Sequence, residues 1–140
     1  MQGNEFRCRA GSGVDEETER LAELVIGAAI EVHRELGPGL PEISYCKAMS
    51  HELDLRGIPH ECEAPLEISY KGKLVGQGRI DILVDRRLIV EIKAVESLNS
   101  THRAQVITYL QVTKLKLGLL INFNVPVLKD GIRRVVNTFS

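Results

Sequence analysis

The sequence predicts an α/β fold in which a central mixed β-sheet is flanked by helices, with elements in the order ααβββαββ. Three observations carry this. Apolar residues recur at helical spacing from Leu21 to Leu36 and stop at Gly37-Pro38-Gly39. Three short apolar or alternating runs follow the second helix, separated by Lys71-Gly72 and Asp85-Arg86-Arg87. A helical segment then leads to the apolar run Leu117–Phe123, and a strand, crossover helix and buried strand favour a parallel pair. At 140 residues the chain is one domain with a real core. It is expected over 15–140, after a flexible tail over 1–14.

Each element has its own local cause. Asp15, Glu16, Glu17 and Glu19 open the first helix, where acids suit the positive end of the helix dipole. Leu21, Leu24, Val25, Ala28, Val32 and Leu36 form its apolar stripe. Pro41 suits the first turn of a second helix, which runs to about Arg56 and ends at Gly57-Ile58-Pro59. Leu66, Ile68 and Tyr70 alternate with Glu67 and Ser69, and Lys71-Gly72 makes a tight turn into a strand from Leu74 to Val84. A third strand is expected over Leu88–Ala94. Ser97 to Thr101 supply caps for a helix to about Lys116, with Val106, Ile107 and Leu110 on its core side. The last strand is expected from Ile132 to Phe139. There is no internal repeat and no glycine-rich phosphate loop after a strand.

Composition narrows the functional classes. No apolar run approaches a membrane span, and no basic start with an apolar middle marks a signal peptide. Cys8, Cys46 and Cys62 are odd in number and lack metal-type spacing, which fits structural thiols in a reduced cytoplasmic setting. Net charge is −1, unevenly spread: residues 1–67 carry 6 basic and 14 acidic side chains, residues 68–140 carry 12 and 5. Two solvated faces would explain that split. So would a polyanion-facing surface in the basic half, or pairing of opposite halves in a homodimer. The chain is not basic throughout, as a tight stand-alone DNA binder would be.

The chemistry concentrates at Asp81, Glu91 and Lys93. Alternation puts Glu91 and Lys93 on one face of their strand, with Val90 and Ile92 turned the other way. A hairpin with the Asp81 strand would bring two carboxylates and an ammonium together. Charges inside the run Leu88–Ala94 are costly unless satisfied, and a structural salt bridge, with Arg79 as another partner, is the bland alternative. Asp81, Glu91 and the Ile92 carbonyl could hold Mg²⁺ or Mn²⁺, which prefer oxygen ligands. Lys93 could then orient a water or stabilise developing charge on a phosphodiester. Glu42, in the first turn of the second helix, is favoured by the dipole whatever its role. Gln105 and Tyr109, one turn apart, could face the same patch and hold Lys93 or a nucleotide. His33, His51, His60 and His102 lack an evident catalytic partner and read as surface or boundary residues.

Together these residues resemble the PD-(D/E)xK nuclease superfamily with its restriction-endonuclease-like fold, and specifically the small GxxExxY proteins. Gly39, Glu42 and Tyr45 match the naming pattern, and the likeness spans about Leu21 to Phe123, including Ile89-Val90-Glu91-Ile92-Lys93-Ala94. By resemblance, Asp81, Glu91 and Lys93 take the metal and catalytic positions. Glu42 matches an acid on an early helix, and Gln105 with Tyr109 looks like the Gln/Tyr motif of RecB-like nucleases. Two positions depart from the pattern: Ile80 stands where the superfamily has proline, and Pro41 before Glu42 would turn that acid slightly.

The expected function is a metal-dependent DNA nuclease serving repair, recombination or defence, working as a homodimer or within a larger complex. A junction resolvase is a sharper version that the near-neutral charge disfavours. The alternative class is a noncatalytic nuclease-fold module that binds nucleic acid or a partner protein. A small-molecule enzyme has no cofactor fingerprint to support it.

Overall fold

The computed structural model describes residues 13–138. Helix α1 (Glu16–Leu36) is followed by α2 (Glu42–Leu55), then strands β1 (His60–Tyr70), β2 (Lys73–Val84) and β3 (Leu88–Lys93). Helix α3 (Ser100–Thr113), β4 (Leu117–Asn122), a 3-10 turn (Leu128–Gly131) and β5 (Ile132–Val136) complete the chain. The five strands lie in chain order; β3 and β4 are parallel and the other neighbours antiparallel. The predicted α/β order ααβββαββ and the parallel crossover pair are therefore the observed ones.

Two apolar layers hold the sheet between helices. One joins α1 and α2 residues such as Leu21, Val25, Ala29, Tyr45, Met49 and Leu53 to Ile82, Val90, Ile92, Leu119 and Ile121. The other sets Val106 and Leu110 of α3 against Ile80, Ile89, Leu120 and Val135. Nearly all of β3 and every residue of β4 are buried, as central strands covered on both faces must be. Glu19, only 1% exposed, receives both amino groups of Arg134 from β5, one at 2.7 Å. That pair ties the first turn of α1 to the last strand.

Some features were not foreseen. β1 begins at His60, six residues before the expected Leu66 signal, because Glu61, Glu63 and Pro65 disguise it. An edge strand tolerates both solvated acids and a proline. The last strand stops at Val136, and Phe139 lies outside the described residues. Of the expected tail, residues 1–12 also lie outside them, whereas Val14 is buried in the core. His33 and the His60 side chain are buried rather than peripheral: His33 Nε2 lies 2.7 Å from the Val125 carbonyl, and His60 is 6% exposed. No helix among the described residues is long and apolar enough to cross a membrane.

Candidate active site

The site begins where β2 and β3 part. Their ladder runs from Val84↔Leu88 to Ile82↔Val90 and stops. At the next position the side chains replace the backbone bonds. The Asp81 N–H donates to Glu91 Oε2 and the Ile92 N–H donates to Asp81 Oδ2, both at 2.8 Å. Each carboxylate therefore holds the opposite strand with one oxygen and keeps its other oxygen for the fork between them. Phe123 N–H donates to the Lys93 carbonyl at 2.9 Å, so Lys93 directs its backbone toward β4. Ile92, one residue earlier, directs its carbonyl into the fork.

The opposite edge of β2 explains how Asp81 reaches that position. β1 pairs with β2 at Cys62↔Ile82 and Ala64↔Ile80, and the intervening Glu63 is left out with φ of 52°. A glutamate in the left-handed region is strained. Ile80 and Ile82, two residues apart, pack into different core layers. β2 thus twists about Asp81, whose carboxylate both pins Ile92 and lines a cleft on the α2 side.

Electrostatically the fork is short of positive charge. Glu91 is 2% exposed, and burial, reinforced by the charge of Asp81, pushes its carboxyl up to about 8 against the Asp81 N–H and Lys93. Burial also raises Asp81, opposed by the Ile92 N–H and Lys93. Glu42 is raised by burial and by Asp81, and eased by Lys93 and His102. Three acids and one lysine therefore share one field, as the sequence led us to expect. Glu42 joins it through space rather than by a hydrogen bond.

Behind Lys93, α3 supplies a polar chain. Lys93 Nζ donates to Gln105 Oε1 and Gln105 Nε2 donates to Tyr109 Oη, each at a long 3.4 Å. The Tyr109 ring rests where a side chain on β2 would otherwise stand: a Cβ on Gly78 would lie 2.8 Å from its hydroxyl. Gln105 and Tyr109 thus do face the site, and Tyr109 belongs to the buried side of α3 as well.

The Gly39, Glu42, Tyr45 spacing has a structural logic. Tyr45 is fully buried and stacks on Phe123 at 4.6 Å. Its hydroxyl donates to the Gly37 carbonyl at 2.5 Å and accepts from Leu40 N–H at 3.1 Å. That clamp fixes the turn, whose Gly39 has φ of 105°, and so sets where α2 starts and where Glu42 stands.

Sequence reasoning missed two supports. Asn122, buried at the end of β4, accepts from Val95 N–H at 3.0 Å and donates to the Val95 carbonyl at 2.9 Å, fixing the chain just beyond Lys93. His102 completes the capping box of α3 with Asn99 while facing Glu42. A polar asparagine inside an apolar run was the available signal for the first; nothing in the spacing marked the second.

The donors fit a hard divalent cation in kind: the buried carboxylate of Glu91 and the partly exposed one of Asp81, each with an oxygen to spare, a carbonyl in the fork, and an acid of raised pKa that a cation would relieve. Among the described residues no group of three or more His, Cys, Asp or Glu is placed to hold a metal. The fork is thus a two-carboxylate site, with the rest of the coordination left to the carbonyl, water and substrate.

A family model described as the PD-(D/E)XK nuclease superfamily matches residues 19–135. No curated protein matches the chain. Among solved structures, the crystal structure of SSO0001 superposes with a TM-score of 0.50 at 18% identity, over 86% of this chain and 67% of that one. That likeness concerns the fold alone.

Proposed function

This chain belongs to the PD-(D/E)XK nuclease superfamily, and from that premise we propose that it is a metal-dependent phosphodiester hydrolase acting on DNA, of repair, recombination or defence type. The observation that carries the reading is the reciprocal Asp81–Glu91 clip with Lys93 beside it. A merely structural pair would need no buried acid whose pKa is about 8. The finer assignment to the GxxExxY proteins rests on the Gly39, Glu42, Tyr45 spacing, in which the Tyr45 hydroxyl bridges Gly37 and Leu40 around the Gly39 turn just before Glu42.

In this reading Asp81, Glu91 and the Ile92 carbonyl hold Mg²⁺ or Mn²⁺. When bound, the metal supplies Lewis acidity toward the phosphate oxygens. Lys93, steadied by Gln105, offers its ammonium to the attacking water or to charge developing on the phosphate. Tyr109 steadies Gln105. Glu42, whose carboxyl is raised by burial, stands across from Lys93 and orients water or a further ion.

Wild type and Lys93→Ala, purified in parallel, would be assayed with Mg²⁺ and Mn²⁺ on single-stranded, duplex, flap, junction and RNA substrates. Removing one group that acts on transition-state charge should lower the rate by about 10²–10³-fold with the fold retained. Equal cleavage by both proteins would contradict the proposal. Absence of cleavage in either would favour a binding module with a nuclease fold.

A further inference from the structure

Asp81 and Glu42 are shared by two spaces. One is the fork; the other is a cleft of about 560 Å³ between α2 and β1. That size lies within the range of about 300–1,000 Å³ usual for ligand clefts. The cleft was not legible in the sequence, because the early part of β1 that builds one wall does not read as strand.

The walls have a definite hydrogen-bonding character. Cys46 lines the floor, and burial pushes its thiol up to about 12, so it stays a neutral, apolar surface. His60 Nδ1 lies 2.9 Å from the Ile58 carbonyl, which can only accept, so that nitrogen carries the proton. His60 Nε2 lies 2.8 Å from Ser50 Oγ and 3.8 Å from Asp54 Oδ1, while Cys62 Sγ donates to the Ser50 oxygen at 3.2 Å. The lining also carries the carboxylates of Glu42, Asp54, Glu63 and Asp81 against the cations Lys47 and Arg79, with Glu63 and Arg79 paired, so acceptors outnumber cationic donors.

A lining with this acidic balance suits a neutral ring bearing N–H donors better than a second phosphate. Exocyclic amino groups of cytosine, adenine and guanine are such donors, and carboxylates accept from them. At the mouth, His51 and the Arg79 guanidinium, held by Glu63 at 3.0 Å, provide flat surfaces for stacking. A nucleotide whose phosphate sits at the fork can turn its base past Asp81 into this space. A base stacked in a duplex cannot, unless it is flipped out.

We propose that this cleft is a subsite for one unpaired, amino-bearing nucleobase next to the scissile phosphate, which makes single-stranded or locally unpaired DNA the substrate class. The inference rests on the nuclease reading for the role of the fork, and its test is kept separate from cleavage. The full chain carrying Lys93→Ala would be titrated with oligo-dC, oligo-dA, oligo-dT and a duplex of equal length, following binding by anisotropy. In parallel, ¹⁵N-labelled Lys93→Ala would receive dCMP and dTMP.

Expected are tighter binding of oligo-dC and oligo-dA than of oligo-dT or duplex, and amide shifts at Ser50, Asp54 and Cys62 with dCMP that are absent with dTMP. Cys62→Trp, on an exposed strand position, should fill the cleft and weaken oligo-dC binding by about tenfold. Duplex binding and thermal unfolding should stay unchanged. Equal affinity for oligo-dC, oligo-dT and duplex, or no dCMP-dependent shifts at those residues, would overturn the subsite. The nuclease reading would stand or fall separately on wild-type cleavage.

Discussion

At the residue scale the decisive group is Glu91. Unfolded, its carboxyl ionises near 4.5; folded, it ionises only at about 8. Between those values the folded state holds a proton that the unfolded state has released. Its contribution to stability is therefore greatest below about pH 4.5 and falls as pH rises to about 8. Each tenfold change in proton affinity corresponds to about 1.4 kcal/mol, so even part of the effect is measurable. We expect urea denaturation of the metal-free protein to show stability declining across that window, and Glu91→Gln to flatten the decline. A profile that stays flat across that window and is unchanged in Glu91→Gln would mean the carboxyl ionises freely in the fold.

At the element scale, the fork depends on the break in β1 opposite Asp81. Glu63, at φ 52°, occupies a conformation that costs an L-residue about 1–2 kcal/mol. Chemical denaturation should rank Glu63→Gly at least as stable as wild type and Glu63→Val less stable by about 1–2 kcal/mol. The reverse order would show that the twist of β2 does not depend on this residue. The same stretch marks where the sequence was hardest to read. Helical spacing marked α1, Pro41 and Gly57-Ile58-Pro59 bounded α2, and apolar runs marked β3 and β4, each nearly to its ends, because amphipathic helices and central strands carry their burial in their sequence. β1 is an edge strand whose solvated acids and Pro65 erase the pattern, so its first six residues went unrecognised. With them went the Ser50–His60–Cys62 network, which exists only once β1 is laid beside α2. Asp81, Glu91 and Lys93 were legible for the opposite reason: charges in apolar runs are conspicuous. Asn122 stands out in its apolar run in the same way, but its role was not legible, because its partner Val95 is met only through the parallel pairing of β3 with β4.

At the scale of the whole molecule, the Glu19–Arg134 pair joins the beginning of the fold to its end. Glu19 is 1% exposed, and the Arg134 side chain is 18% exposed. Removing one partner of a largely buried pair leaves the other poorly compensated. Glu19→Ala should cost roughly 2–3 kcal/mol, discounted for the partial exposure of Arg134, and lower the thermal midpoint without moving the fork. A midpoint within a degree of wild type would show the tie to be dispensable. The sheet, both helical layers and this tie hold the buried Glu91 and the partly exposed Asp81 at one fork, which in the proposed reading takes a cation.

Calorimetric titration of Mn²⁺ into the wild type and Glu91→Gln, at pH 6 and pH 8, tests that claim most directly. Binding by the wild type should strengthen toward pH 8, as less work is needed to remove the Glu91 proton, and should be lost in Glu91→Gln. No binding by the wild type, or the same binding in Glu91→Gln, would contradict it.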